Sequence, residues 1–214
     1  MKKEKLILFD WGGVVESMTD SYSNPMAWND TFKELGYQGD NFYQYIENYP
    51  ITTVQNKKEL EEQVYNKMKE DFQLTGTFQD FLKIYEEKFA KIKYYQDIVE
   101  LEHELGTYCQ IGILSNLLPI DKKRLNKQIN ISKYDYLFLS YELGLEKPNP
   151  IIYKAITEKV KLKPENILLI DDKEKNIKAA KKAGWNGFVA NGKEYKKMKE
   201  ACLKFINNKQ KQDE

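Results

Sequence analysis

The side chains of this chain with the types and placement to do chemistry are Asp10 in LILFDWGG, Ser115 and Asn116 in IGILSN, Lys147 in LEKPNP, and the pair Asp171 and Asp172 in NILLIDD. Three of these groups directly follow an apolar run: Lys5 to Phe9, Tyr108 to Leu114, and Ile167 to Ile170. Such runs read as strands buried on both faces of a parallel sheet, and an open α/β sheet binds ligands beyond the carboxyl ends of its strands. Three strand ends would thus deliver these side chains to one crevice. Singly, each has a plainer explanation: Asp10 before two glycines suits a turn, Ser115 and Asn116 a turn or helix cap, and Lys147 before Pro148 a solvated loop. Adjacent carboxylates at the end of a buried strand are harder to explain so, because they repel unless a cation or hydrogen-bond donors hold them. Asp172 could still cap the helix that follows.

Taken together, the set reads as phosphoryl chemistry. A carboxylate can attack phosphorus to form an aspartyl-phosphate, splitting one hard displacement into two steps. Both partners are anionic, so a hard divalent ion held by oxygen ligands is needed to offset the repulsion, and Mg²⁺ suits carboxylates at this density. A lysine together with hydroxyl and backbone donors would bind the remaining phosphoryl oxygens. Cys109 and Cys202 are far apart with no Cys-x-x-Cys, and His103 is the single histidine, so neither a thiolate zinc site nor a disulfide framework is expected. His103 is expected to be an exposed helical residue and not a base.

The elements that must position these groups follow from periodicity. After the first strand, from about Glu16 to Lys91, the pattern becomes helical. Leu60, Val64 and Met68 recur every four residues behind the charged run Lys57 to Glu62, and Phe78, Phe81, Leu82, Tyr85 and Phe89 form a second apolar stripe. Strand and helix then alternate. A helix over Asp97 to Leu105 precedes the strand ending at Ser115; a helix after Pro119, a strand over Tyr136 to Leu139 and a helix over Pro150 to Val160 follow. Next come the strand before Asp171, a helix from Glu174 to Ala183 closed by Gly184, a strand over Gly187 to Ala190 and a polar terminal helix that frays from Asn207. The alternation predicts an α/β fold, a Rossmann-like three-layer α/β/α core with a parallel sheet, with the helical block as an insertion.

At 214 residues the chain can hold one domain with a sizeable insertion, or two small domains. Its 34 Lys and Arg nearly cancel 33 Asp and Glu, so no global field recruits nucleic acid or an anionic membrane, and an anionic substrate must be gathered locally. No run approaches the roughly 20 apolar residues of a membrane helix, and the amino terminus has no signal pattern. A cytoplasmic protein, monomer or homodimer, is expected.

The order and content of these motifs resemble the haloacid dehalogenase-like hydrolase superfamily. LILFDWGGVV is similar to its nucleophile motif, ILSN to its second motif, LGLEKPNPIIYKAI to its lysine motif, and NILLIDDKEKNIKAAKKAGW to its acidic metal motif. Gly-Gly-Val after Asp10, with Asp-Asp in the last motif, resembles the branch of bacterial sugar-phosphate phosphatases and the amino-terminal phosphatase domain of soluble epoxide hydrolases. The resemblance implies a discontinuous core, residues 1–15 and 92–214, and a helical cap, residues 16–91, that closes over the site. It implies Asp10 as nucleophile and Mg²⁺ ligand, Ser115, Asn116 and Lys147 as phosphate binders, with Lys147 also the charge partner of Asp10. Asp172 would be the acidic metal ligand, Asp171 an assisting one, and Gly12 a ligand through its backbone carbonyl.

Gly12 also marks a departure, since phosphatases of the family usually carry there an Asp that protonates the leaving group and later activates water. General acid-base help is worth ~10² to 10⁴ in rate, so its loss need not abolish turnover. The resemblance thus implies an Mg²⁺-dependent phosphatase for a small phosphorylated metabolite, a sugar phosphate among the candidates. The alternatives are a phosphate-ligand-binding relative without efficient turnover and a 2-haloacid dehalogenase; the paired carboxylates weigh against the latter, which needs no metal, and Gly12 weighs against a mutase. In the helical block Trp28, Phe42, Tyr43, Tyr45 and Tyr49 could stack on a substrate, or could be the core of a small domain. Asp20, Tyr22 and Asn24, near the hinge, are equally open, and the runs Lys57 to Glu62 and Lys173 to Lys182 read as solvated helix faces.

Overall fold

The computed structural model describes residues 4–20, 22–46 and 60–208. Five short strands, β1 (Leu6–Phe9), β2 (Gln110–Ser115), β3 (Tyr136–Leu139), β4 (Ile167–Asp171) and β5 (Asn186–Val189), form one sheet in the order β3-β2-β1-β4-β5. Every neighbouring pair is parallel. From β1 the chain builds outward through β2 and β3, then returns to place β4 on the other side of β1. The reversal between β1 and β4 is the switch point where such sheets open a crevice.

Alternation along the strands explains the layers. Ile7, Phe9, Ile111, Ile113, Leu168 and Ile170 face one apolar cluster, which takes in side chains of α5 (Gln96–Leu105), α6 (Pro119–Gln128) and α10 (Tyr195–Asn207). Leu6, Leu8, Ile167 and Leu169 face the opposite cluster, built with α8 (Pro150–Val160) and α9 (Glu174–Lys182) and flanked by Leu143 of the one-turn α7 (Ser140–Leu143). Two-sided burial is why the strands read as continuous apolar runs, and it gives the three-layer α/β/α core expected from the sequence. Two strands run one residue further than expected: Ser115 pairs with Leu139 and Asp171 with Val189. The ladder therefore holds the backbones of both site residues.

Between β1 and β2 lie α1 (Asn24–Glu34), α2 (Tyr43–Ile46), α3 (Leu60–Phe72) and α4 (Phe78–Phe89). They bury their own cluster, including Trp28, Phe32, Phe42, Tyr65, Phe81, Tyr85 and Phe89. Phe32 stacks on Phe42 at 3.6 Å and Trp28 meets Phe89 edge-on at 5.1 Å, so most of the aromatics of the block are core. Leu118 and Ile120, at the start of α6, are buried in this same cluster and join the helical block to the α/β core. Tyr49, residues 57–59 of the charged run and the tail beyond residue 208 lie outside the described residues.

His103 departs from expectation. It is half-buried on α5, its ring 6.1 Å from that of Tyr134, and its Nε2 is buried with no hydrogen-bond partner, because this helix face packs against the Tyr134 segment. Burial lowers its pKa. Among the described residues no helix is long and apolar enough to cross a membrane.

Candidate active site

Asp10 is the first residue beyond β1, and its N–H still donates to Ile170 O of β4 at 2.8 Å. Its carboxylate is held asymmetrically. Oδ1 accepts from Ser115 Oγ at 2.6 Å and from the Trp11 N–H at 2.7 Å, and lies 3.0 Å from Lys147 Nζ. No hydrogen bond reaches Oδ2 among the described residues, so one oxygen is locked and the other is left for chemistry.

Lys147 reaches this point from the loop before α8, through a cis peptide bond to Pro148. Asn116, just past β2, fixes that loop with two bonds: its Nδ2 donates to Lys147 O at 2.8 Å and its Oδ1 accepts from Lys147 N at 2.9 Å. The ammonium is buried between two carboxylates, 2.6 Å from Asp171 Oδ2 and 3.0 Å from Asp10 Oδ1. Burial alone would lower its pKa, but Asp10 and Asp171 outweigh that and hold it above the ordinary lysine value. Asp10 is pushed up by burial and by Asp171, against the pull of Lys147 and Ser115.

The two adjacent aspartates differ sharply. Asp171, fully buried, accepts from Lys147, from the Lys173 N–H at 2.9 Å and from Asn176 Nδ2 at 2.9 and 3.0 Å. Asp172 Oδ1 is buried with no partner among the described residues, and burial with the nearby charges of Asp10 and Asp171 raises its pKa to about 7. It is Asp171 that bonds the first turn before α9, so Asp172 is not the cap. Asp10, Asp171 and Asp172 each offer an oxygen within 4.8 Å of the others. An unpartnered buried carboxylate oxygen beside two more carboxylates fits a hard divalent cation, which would remove the orphan and the repulsion together.

Asp10, Lys147 and Asn176 border a cavity of about 300 Å³. Asp10, Gly12, Ser115, Asn116 and Lys147 form its floor; Asn24, Trp28, Tyr43 and Ile46 reach it from the helical block. Glu16 and Asp121 are also on its wall, and donors saturate both. Glu16 accepts from Asn24 Nδ2 at 2.6 Å, Tyr94 OH at 3.0 Å, Trp11 Nε1 at 3.2 Å and Arg124 Nη1. Asp121 accepts from Tyr85 OH, the Leu118 N–H at 2.9 Å and Arg124 Nη2 at 3.0 Å. Of the hinge-region residues singled out in the sequence, only Asn24 borders the cavity; Tyr22 bonds Asp30 at 3.0 Å, and Asp20 pairs with Lys193 at 3.2 Å.

Sequence reasoning missed Asn176, Glu16, Asp121 and Arg124. The signals were present: Asn176 interrupts the apolar stripe of Ile177 and Ala180 on α9, and Arg124 is the one arginine among 34 basic residues.

A family model described as haloacid dehalogenase-like hydrolase matches residues 4–184, most of the chain. The chain belongs to that family. As a haloacid dehalogenase-like hydrolase it is 29% identical, over 45% of its length, to a glyceraldehyde 3-phosphate phosphatase of Methanopyrus kandleri, and 37% identical over 51 residues to bifunctional epoxide hydrolase 2 of Rattus norvegicus. These matches span 43% and 9% of the relatives' own lengths. Among solved structures, a family enzyme of Bacteroides thetaiotaomicron in complex with magnesium and inorganic phosphate superposes with a TM-score of 0.71 at 21% identity, covering 89% of this chain and 96% of that one. The L-2-haloacid dehalogenase of Xanthobacter autotrophicus superposes with a TM-score of 0.61 at 15% identity, covering 87% and 76%. At such identities these structures speak to the shared hydrolase fold alone.

Proposed function

We propose that this haloacid dehalogenase-like hydrolase is an Mg²⁺-dependent phosphatase that hydrolyses a small phosphorylated metabolite, a sugar phosphate among the candidates, through an aspartyl-phosphate on Asp10. The observation that carries the reading is the asymmetry of Asp10: three donors fix Oδ1, while Oδ2 carries no bond among the described residues. In-line attack from Oδ2 would break the bond from phosphorus to the leaving oxygen, and water would then release inorganic phosphate and free the carboxylate. Ser115, the loop at Asn116 and Lys147 would bind the transferred group. Asp10, Asp172 and the Gly12 carbonyl would hold Mg²⁺, with Asp171 assisting; when bound, the ion offsets the charge between nucleophile and phosphate. Helices α1 to α4 would serve as the cap, within boundaries of 16–91, over a core of 1–15 and 92–214. Similarity to a glyceraldehyde 3-phosphate phosphatase and the paired carboxylates Asp171 and Asp172 support this choice over dehalogenation.

A second reading, a phosphate-ligand-binding protein with slow turnover, is favoured by Gly12 and by the saturation of Glu16 and Asp121, which leaves neither ready to give a proton. One experiment separates the two: phosphate release from a broad ester panel with Mg²⁺ at high protein concentration. Turnover that EDTA abolishes supports the phosphatase; a blank panel with retained phosphate binding supports the binding protein.

A further inference from the structure

Arg124, on α6, touches none of the groups proposed to react, yet it is buried where α6 meets α4 and the two segments that connect the helical block to the core. Nη1 donates to Glu16 Oε2 and to Tyr94 OH at 2.8 Å, Nη2 donates to Asp121 Oδ1 at 3.0 Å, and Nε donates to Tyr85 OH at 3.3 Å. Its face lies 5.0 Å over the Phe89 ring. Tyr85 and Phe89 belong to α4 of the helical block, while Glu16 and Tyr94 belong to the two strands of chain that connect the block to the core, which themselves pair through a bridge between Glu16 and Tyr94.

Glu16 carries the connection onward to Asp10. Its backbone oxygen accepts the Gly13 N–H at 2.8 Å and its N–H donates to Trp11 O at 2.9 Å, closing the turn from Trp11 to Glu16. Its side chain also accepts the Trp11 indole N–H, and the Trp11 backbone N–H is one of the three donors on Asp10 Oδ1. From α6 to the nucleophile there are only two residues, each held by named bonds.

We propose that Arg124 is a positioning residue, one that couples the seating of the helical block to the geometry of the Trp11–Glu16 turn beside Asp10. A planar fork with donors on three nitrogens is what this junction requires, and a point charge cannot supply it. The chain uses lysine at every other basic position, and its one arginine stands here. This inference rests on the phosphatase reading only for its kinetic arm.

The test uses Arg124→Lys, which keeps the charge and loses the fork, and the double variant Arg124→Met with Glu16→Gln, which leaves no buried carboxylate opposite a missing cation at Glu16. Val160→Ala, buried on the far face of the sheet, controls for lost stability. Amide hydrogen exchange of the segment 10–18 is measured with Mg²⁺ present, alongside kcat and KM for para-nitrophenyl phosphate. Both Arg124 variants are expected to exchange faster in that segment than the control at matched Tm, and to lose on the order of 10²-fold in kcat, as a misplaced reacting group does, with little change in KM. Exchange no faster than in the control, or an Arg124→Lys protein with wild-type kcat, overturns the proposal. If the wild type turns nothing over, the phosphatase reading fails and the exchange measurement alone decides the role of Arg124.

Discussion

Gly13 and Asp172 approach so closely that a Cβ on Gly13 would lie 2.4 Å from Asp172 Oδ2. Gly13 also holds φ at +85°, a region that side chains disfavour. The chain therefore has two independent reasons for glycine here, and the first bears on the carboxylate with the unpartnered oxygen. Gly13→Ala is expected to displace Asp172 and weaken Mg²⁺ binding by calorimetry at least as much as Asp172→Asn. Mg²⁺ affinity equal to wild type would contradict it.

The neighbouring glycine behaves oppositely. A Cβ on Gly12 would meet only Met18 Sδ, at an ordinary 3.6 Å, and would face the cavity. Gly12→Asp should fold with unchanged Tm and install the missing proton donor, raising kcat on alkyl phosphates by ~10² to 10⁴, the usual worth of acid-base help. Gly12→Ala should leave kcat near wild type. Equal rates in the two variants would show that protonation of the leaving group is not what limits turnover.

Asn176 would support the proposed metal site from outside. Its amide donates to both oxygens of Asp171, leaving that carboxylate aligned between Lys147 and the Lys173 N–H. Outer groups of this kind are worth about 10- to 100-fold in metal affinity. Titration calorimetry on Asn176→Ala should show a loss of that size; an unchanged Kd would mean that Lys147 and the Lys173 N–H suffice to fix Asp171.

Glu102 sets a pH dependence away from the site. It is fully buried on α5, accepts one bond from Tyr134 OH, and has no partner for Oε1 among the described residues, so burial raises its pKa from 4.5 to about 8. The folded protein thus prefers the protonated acid. Its contribution is fully present below the unfolded pKa and is lost as pH rises toward and through about 8. Glu102→Gln should match the wild-type Tm near pH 4 and exceed it by several degrees above pH 8, measured by thermal melts. A variant no more stable at high pH would mean that the wild-type acid is not neutral.

Most of the α/β core was legible because two-sided burial writes itself as apolar runs, and because Asp10, Ser115 and Asp171 sit where those runs stop. The meeting of Lys147 with Asp10 and Asp171 was legible only as an implication of convergence, since Lys147 comes from a loop with no periodicity of its own. What sequence reasoning left out depends on burial that composition hides. Arg124 and Asp121 lie in the polar run PIDKKRLNKQ, which reads as a solvated helix, yet α6 turns them inward against Tyr85 and Glu16. His103 was misread for the same reason, its helix face being covered by Tyr134.

The most direct test of the account is acid quenching of the protein after brief mixing with a reactive phosphate donor, followed by mass analysis of the peptide that contains Asp10. With no carboxylate at Gly12 to activate water, the aspartyl-phosphate should hydrolyse slowly and accumulate. One added phosphoryl group is expected on Asp10 in Mg²⁺, none in EDTA, and none in Asp10→Asn. Phosphate release that persists in Asp10→Asn, or turnover with no phosphoryl group ever found on Asp10, would contradict it.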